Sequence, residues 1–152
     1  QDRRPWGAAV VAADPAGLFV RRAFVEVDGL FGLPFRLRGG RRKVGPVRGL
    51  VNFMLEALLA DRPIAPGTPT LAIVNGMGGC TMMELLTVYR ELAQGLGARG
   101  IPALSPMVGS FSTTQEMAGF SISLMTPSPQ MLDLWLAPQT TPHFPVIRAG
   151  GA

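Results

Sequence analysis

Cysteine, histidine, lysine and tyrosine occur once each in this chain, as Cys80, His143, Lys43 and Tyr89. A single cysteine excludes an intrachain disulfide and gives no sign of an oxidising compartment, so a cytoplasmic setting is expected. A single histidine means that any general base, metal ligand or covalent histidine is His143 or is absent. That residue lies in a Thr-Thr-Pro-His-Phe tail with no carboxylate close in sequence to orient it, and it reads as a surface histidine. One His, one Cys and scattered carboxylates show no ligand spacing, so no metal site is expected. Charge is scarce too: 16% of residues are charged against roughly 25% in soluble domains, while the apolar share is an ordinary 47%. Scarce charge suggests a surface partly covered by more protein. The longest uncharged run, residues 63–83, has three prolines and four glycines in a strand-turn pattern, which argues against a bilayer span. No signal peptide pattern is evident, and a start at Gln1 rather than Met suggests a processed product or a piece of something longer.

What is present fits one domain: 152 residues and 16.1 kDa, enough to bury about two thirds of the unfolded surface. The net charge of +4 is almost entirely arginine. Much of it is local, because Arg36, Arg38, Arg41, Arg42, Lys43 and Arg48 fall close together. Such a cluster can meet phosphate or an acidic partner. No aromatic residues interleave to stack bases and no groove-entering motif follows, so nucleic acid is disfavoured and the cluster reads as a solvated loop.

Up to about residue 45 neither hydrophobic period is sustained, and one or two strands at most are expected in this Arg/Gly-rich head. After Gly45-Pro46 the residues Val47, Leu50, Val51, Met54, Leu55, Leu58 and Leu59 recur at helical spacing and predict a helix over 46–60, with proline at its start. Thr70-Leu-Ala-Ile-Val74 reads as a strand buried on both faces of a parallel sheet. A glycine turn follows over 75–80, and Thr81 with Glu84 forms a capping box for a second helix. That helix carries Leu85, Val88, Tyr89, Leu92 and Leu96 on one face and stops at Arg99-Gly100. Residues 101–108 predict a second strand that Pro102 and Pro106 make an edge or an interrupted one. Thr113 and Glu116 suggest one further capped turn. Phe120, Ile122 and Leu124 alternate with Ser121 and Ser123 in a strand with one apolar face, and Ser128-Pro129 starts a short helix bearing Met131, Leu132, Trp135 and Leu136. The layout is α/β, with the tail beyond Ala137 irregular.

Few residues here offer chemistry. Asn75, Gly76, Gly78 and Gly79 lie between a strand's C-terminal end and a helix start, where open α/β sheets place ligands and where glycines let backbone N–H groups approach an anion or small polar molecule. The turn lacks both the dinucleotide fingerprint and the Lys-Ser/Thr ending of a phosphate loop. A ligand-facing loop and a tight turn with purely structural glycines both stay open. Cys80, near a helix start, has no histidine close in sequence to activate it. The eight methionines read as core filler.

At Val74-Asn-Gly-Met-Gly-Gly79, Met83-Glu-Leu85, Val88-Tyr-Arg90, Val108-Gly-Ser-Phe111 and Met117-Ala-Gly-Phe-Ser-Ile-Ser-Leu124 the chain resembles the C-terminal part of the substrate-binding component of dihydroxyacetone (glycerone) kinases, over about residues 47–144. The resemblance implies a layered α/β/α sheet domain that is an incomplete half of a larger two-subdomain unit. It divides the chain into the head over 1–45, the kinase-like domain over 46–144 and a tail over 145–152. It also implies a phosphotransferase component that binds dihydroxyacetone or a similar short ketose and forms a homodimer. The phosphoryl group would come from ATP with magnesium, or from a phosphotransferase donor, on a separate helical domain or subunit. The loop Asn75, Gly76, Gly78 and Gly79 would then lie on the substrate side. In that family a histidine in a Gly-Ile-His-Gly-Glu segment captures the ketone covalently; the matching stretch here, residues 26–34, has none, and His143 falls in the tail. No catalytic residue, directly bound cofactor or metal ligand is therefore assigned, and the expectation is a fragment inactive alone, with a non-catalytic module that docks a partner subunit or regulator as the alternative.

Overall fold

A computed structural model describes residues 46–113 and 117–138 in full, and strand segments 8–10, 20–27, 34–37 and 40–43 by their backbone. In chain order the elements are β1 (Ala8–Val10), β2 (Val20–Val27), β3 (Pro34–Leu37), β4 (Gly40–Lys43), α1 (Val47–Asp61), β5 (Thr70–Gly76), α2 (Met82–Gly97), β6 (Ala103–Gly109), β7 (Gly119–Met125) and α3 (Pro129–Leu136). The strands form one seven-stranded sheet of order β4-β3-β2-β7-β5-β6, with β1 paired to β2 off that path. The α/β architecture is the expected one. The expected turn at Thr113 and Glu116, the tail and His143 lie wholly or partly outside the described residues.

Local chemistry explains the best-formed pieces. Thr81 and Glu84 close the predicted capping box at the start of α2, and Gly100, in the left-handed region at φ +67°, follows its end. Ser128 caps α3 by accepting from the Met131 N–H, with proline at the first helical position. Pro46 sits just outside α1 as its N-cap residue and makes no side-chain cap. The edge strand expected from two prolines is β6, at the end of the sheet. Its pairing with β5 slips at Ser105-Pro106, where Ser105 takes φ +38° and its carbonyl accepts from Trp135 Nε1 of α3 at 3.3 Å. A bulge, a proline and an occupied carbonyl blunt an edge that would otherwise template further pairing.

The core lies between one sheet face and the pair α1 and α2. Leu50, Val51, Met54, Leu55 and Leu58 of α1 and Leu85, Val88, Leu92 and Leu96 of α2 cluster with Ala72, Val74, Phe120, Ile122 and Leu124. Gly95 lets the helices approach: a Cβ there would sit 2.9 Å from Leu55 Cδ2. Truncating a fully buried leucine such as Leu92 costs about 2–5 kcal/mol.

Three expectations change. β5 is parallel to β6 but antiparallel to β7, so the sheet is mixed rather than parallel. The two serines of β7 are buried along with its apolar face. Arg36 and residues 41–43 stand in strands β3 and β4 rather than in a loop, and β2 of the head pairs with β7 through seven residues. Among the described residues no helix is long and apolar enough to cross a membrane.

Candidate functional site

Topology sets what happens at the C-terminal end of β5. β6 lies on one side of β5 and β7 on the other, so the chain from Gly109 to Gly119 must cross the end of β5. The residues it crosses are those of the Asn-Gly-x-Gly-Gly turn.

Asn75, only 1% exposed, fastens the first half of that crossing. Its Oδ1 accepts from the N–H groups of Phe111 and Ser112, each at 2.8 Å, and its Nδ2 donates to the Ser112 carbonyl at 3.0 Å. The second half is held by backbone. Met77 N–H donates to Gly119 O at 3.0 Å, Gly79 N–H donates to Met117 O at 2.8 Å, and Gly78 bridges to Met117. A side chain at two of the glycines would collide with neighbours. At Gly76 a Cβ would stand 2.8 Å from Ser110 Oγ and 2.9 Å from Leu85 Cδ1; at Gly79 it would stand 2.8 Å from the Ala118 nitrogen. Gly78 instead needs the left-handed region, at φ +107°.

The structure therefore brings Asn75, Gly76, Gly78 and Gly79 together and gives Asn75, Gly76 and Gly79 packing or clamping roles. Gly78, Gly79 and Thr81 remain exposed at the rim, and Ser112 and Thr113 of the crossing segment are exposed as well. Met82, Met83 and Leu86 continue that rim as exposed apolar side chains.

Cys80 is half-buried and its thiol donates to Gly119 O at 3.1 Å. Burial first, and the Glu84 carboxylate second, push its pKa up. A thiol kept protonated in this way is a poor nucleophile. Among the described residues no three acidic, Cys or His side chains stand close enough together to hold a metal, and no lysine closes the glycine turn.

Two features escaped the sequence reading. Glu91 sits within the buried face of α2, 3% exposed, where Arg48 Nε of α1 donates to Oε2 at 2.9 Å and Arg90 donates to Oε1 at 2.6 Å. Those hydrogen bonds, Arg90 first and Arg48 second, hold its carboxyl below the usual range. The available signal was its position, three beyond Val88 and four before Gly95, within the apolar stripe. Ser121 is fully buried, and its hydroxyl has no hydrogen-bond partner among the described residues.

Residues 38–143 match the family model of the Dak1 domain. The chain is 31% identical over 125 residues to a D-erythrulose kinase of Mycolicibacterium smegmatis, covering 80% of this chain and 22% of that protein. It is 29% identical over 106 residues to the dihydroxyacetone-binding subunit of a PTS-dependent dihydroxyacetone kinase of Listeria innocua, covering 70% of this chain and 32% of that subunit. A solved structure headed "Regulation of the Dha operon of Lactococcus lactis" superposes with a TM-score of 0.70 at 20% identity, over 78% of this chain and 40% of that one. The chain thus spans a third or less of the length of these two curated relatives.

Proposed function

Because the chain belongs to the Dak1 domain family, we propose that it is the C-terminal part of the ketose-binding component of a dihydroxyacetone-type kinase. The observation that carries this reading is the family match over 38–143, whose span contains both the Asn75 clamp and the strand-crossing segment it holds. In this role the chain supplies scaffold: β5, β7 and α2 fix the rim formed by Gly78, Gly79, Ser112 and Thr113 beside the ketose. Rigid placement of a hydroxyl toward a phosphoryl donor is most of what such a transfer needs from protein. The donor, ATP with magnesium or a phosphotransferase relay, belongs on a partner domain or subunit, and the setting is cytoplasmic. A homodimer is the expected assembly.

The chain alone is inactive in this reading, because residues 26–34 contain no histidine to capture the ketone. That same absence favours a second reading, a non-catalytic module that docks a partner subunit or regulator. Both are tested by titrating the chain with dihydroxyacetone while recording amide NMR spectra, and by assaying dihydroxyacetone phosphorylation with a donor subunit supplied. The first reading expects shifts confined to residues near 75–79 and 110–113, and no turnover. Robust turnover overturns the inactivity, and capture of the donor subunit with indifference to the ketose selects the docking module.

A further inference from the structure

The described residues expose four large apolar side chains, Met82, Met83, Leu86 and Leu134. Three of them fall together on α2, whose outward face is short of charge. Its exposed positions are 82, 83, 86, 87, 90, 94 and 97, and Arg90 is the one ion among them. A solvated helix face ordinarily carries charged and polar side chains. A face with Met83 75% exposed and a single cation instead suits cover by another protein surface. Charge is concentrated just past the apolar group. Arg90 lies one turn beyond Leu86, and its guanidinium and that of Arg48 from α1 both donate to the buried Glu91 carboxylate. Two cations against one carboxylate leave a single positive charge there, and both arginine side chains are largely exposed, at 66% and 64%. Among the described residues Arg48 engages only its Nε, so its terminal N–H groups can still donate. The neighbouring carboxylates are committed elsewhere: Glu84 to the Thr81 cap and Glu56 to Arg99 at 3.7 Å. An occupant that fits this surface is apolar with one carboxylate beside it.

The chain itself carries such a group. Leu134, the fourth exposed apolar side chain, adjoins the exposed Asp133 on α3, and Asp133 makes no hydrogen bond or ion pair among the described residues. Asp61 is likewise unpaired there, but it ends α1 beside Arg62 with no exposed large apolar side chain next to it. α3 buries none of its eight residues. Its rise of about 12 Å matches the rise of about 10.5 Å from Met83 to Arg90 along α2. Topology places both helices at one edge of the sheet: α2 packs over β5 and β6, α3 is tied to β6 through Trp135 and Ser105, and β6 is the edge strand. A two-fold axis beside that edge would set α2 of each copy against α3 of the other and close the assembly as a dimer.

We infer that α2 and α3 form a self-complementary surface for a second copy of this chain, with Met83 and Leu86 against Leu134 and the Arg48 and Arg90 pair against Asp133. The contact rests on the homodimer expected above and gives that assembly its surface. The test is sedimentation equilibrium of the full chain over a range of concentrations and salt. A reversible monomer–dimer equilibrium that weakens with salt is expected. Asp133→Arg and Arg90→Asp, each setting like charges against one another, should each weaken it at least about tenfold. Mixing the two variants should restore dimers, because each then offers the other an opposite charge at both contacts, a rescue that misfolding cannot mimic. Met83→Ser, at an exposed position, should weaken the dimer without lowering Tm. A dimer that ignores all three substitutions overturns this surface and leaves the homodimer standing, and a chain monomeric at every concentration overturns both. A monomer that captures a donor subunit, and loses it on Met83→Ser, gives the α2 face to that partner and likewise overturns the inference.

Discussion

Replacing Asn75 by alanine removes one carboxamide and, with it, the partner of two backbone N–H groups and one carbonyl in a single two-residue stretch. Asn75 is 1% exposed, so water cannot enter its place without opening the β5 end. A buried polar group left without its bond costs about 1–3 kcal/mol, whereas one that regains water costs far less. Ser112 is exposed and recovers hydration; the half-buried Phe111 N–H recovers less. One full loss and two partial ones give about 3 kcal/mol, which for a domain of this size lowers Tm by about 6–12 °C. Urea unfolding measures the first quantity, and hydrogen exchange at the Phe111 and Ser112 amides localises it. Asn75→Asp sharpens the test. The carboxylate still accepts from both N–H groups but sets a negative oxygen against the Ser112 carbonyl, so its folded pKa rises above the unfolded value of about 3.9. Protonation then restores a donor, and this variant should gain on the native chain as pH falls through that raised value. A cost below about 1 kcal/mol for Asn75→Ala, or native exchange rates at both amides, would refute the clamp.

Gly79→Ala should cost about 1–3 kcal/mol, because its new Cβ meets backbone atoms of residues 117 and 118 within 2.9 Å, while Gly49→Ala, with open space around it in α1, should stabilise by about 0.5 kcal/mol in the same unfolding assay. Glu91 has its carboxyl held below the usual range, so its contribution is fully present above the unfolded value of about 4.3 and is lost as pH falls through the folded one. Unfolding measured across acid pH should show that loss in the native chain and a flattened profile in Glu91→Gln; identical profiles would contradict the Arg48 and Arg90 pairing. Ser121→Ala should be neutral or gain up to about 1 kcal/mol, since it deletes a buried hydroxyl with no partner among the described residues, and a clear loss of stability by thermal melting would reveal a partner.

The helices and the order of elements were legible because their signals are local. Thr81 with Glu84, Ser128 with Pro129 and the stripe from Leu50 to Leu58 each act within a few residues, and all three appear where the pattern put them. Pro106 marked the edge strand for an equally local reason, the missing N–H. Strand direction was not legible: a short apolar run such as β5 is buried on both faces whether its neighbours run parallel or antiparallel. The head escaped for a related reason. Strands of three to eight residues, and the pairing of Val20–Val27 with a strand nearly a hundred residues later, leave no period that a window along the chain can detect. Glu91 was hidden because a carboxylate within an apolar stripe makes sense only once Arg48 arrives from another helix.

The glycine turn shows how a structural demand and a ligand site can share a sequence signal. A chain crossing the end of β5 at backbone contact distance requires missing side chains at Gly76 and Gly79 and a fixed acceptor at Asn75, whatever binds nearby. These residues alone therefore do not argue for a ketose. The requirement does fix the crossing segment, at Phe111 and Ser112 through Asn75 and at Met117 beside Gly78. Any ligand role then belongs to the exposed rim, with Asn75 acting through the segment it holds. Damage at Asn75 would spread to the crossing it holds, whereas in the proposed role damage at the Ser112 or Thr113 side chains would leave the clamp in place and fall on binding, because the clamp takes only backbone groups of Phe111 and Ser112.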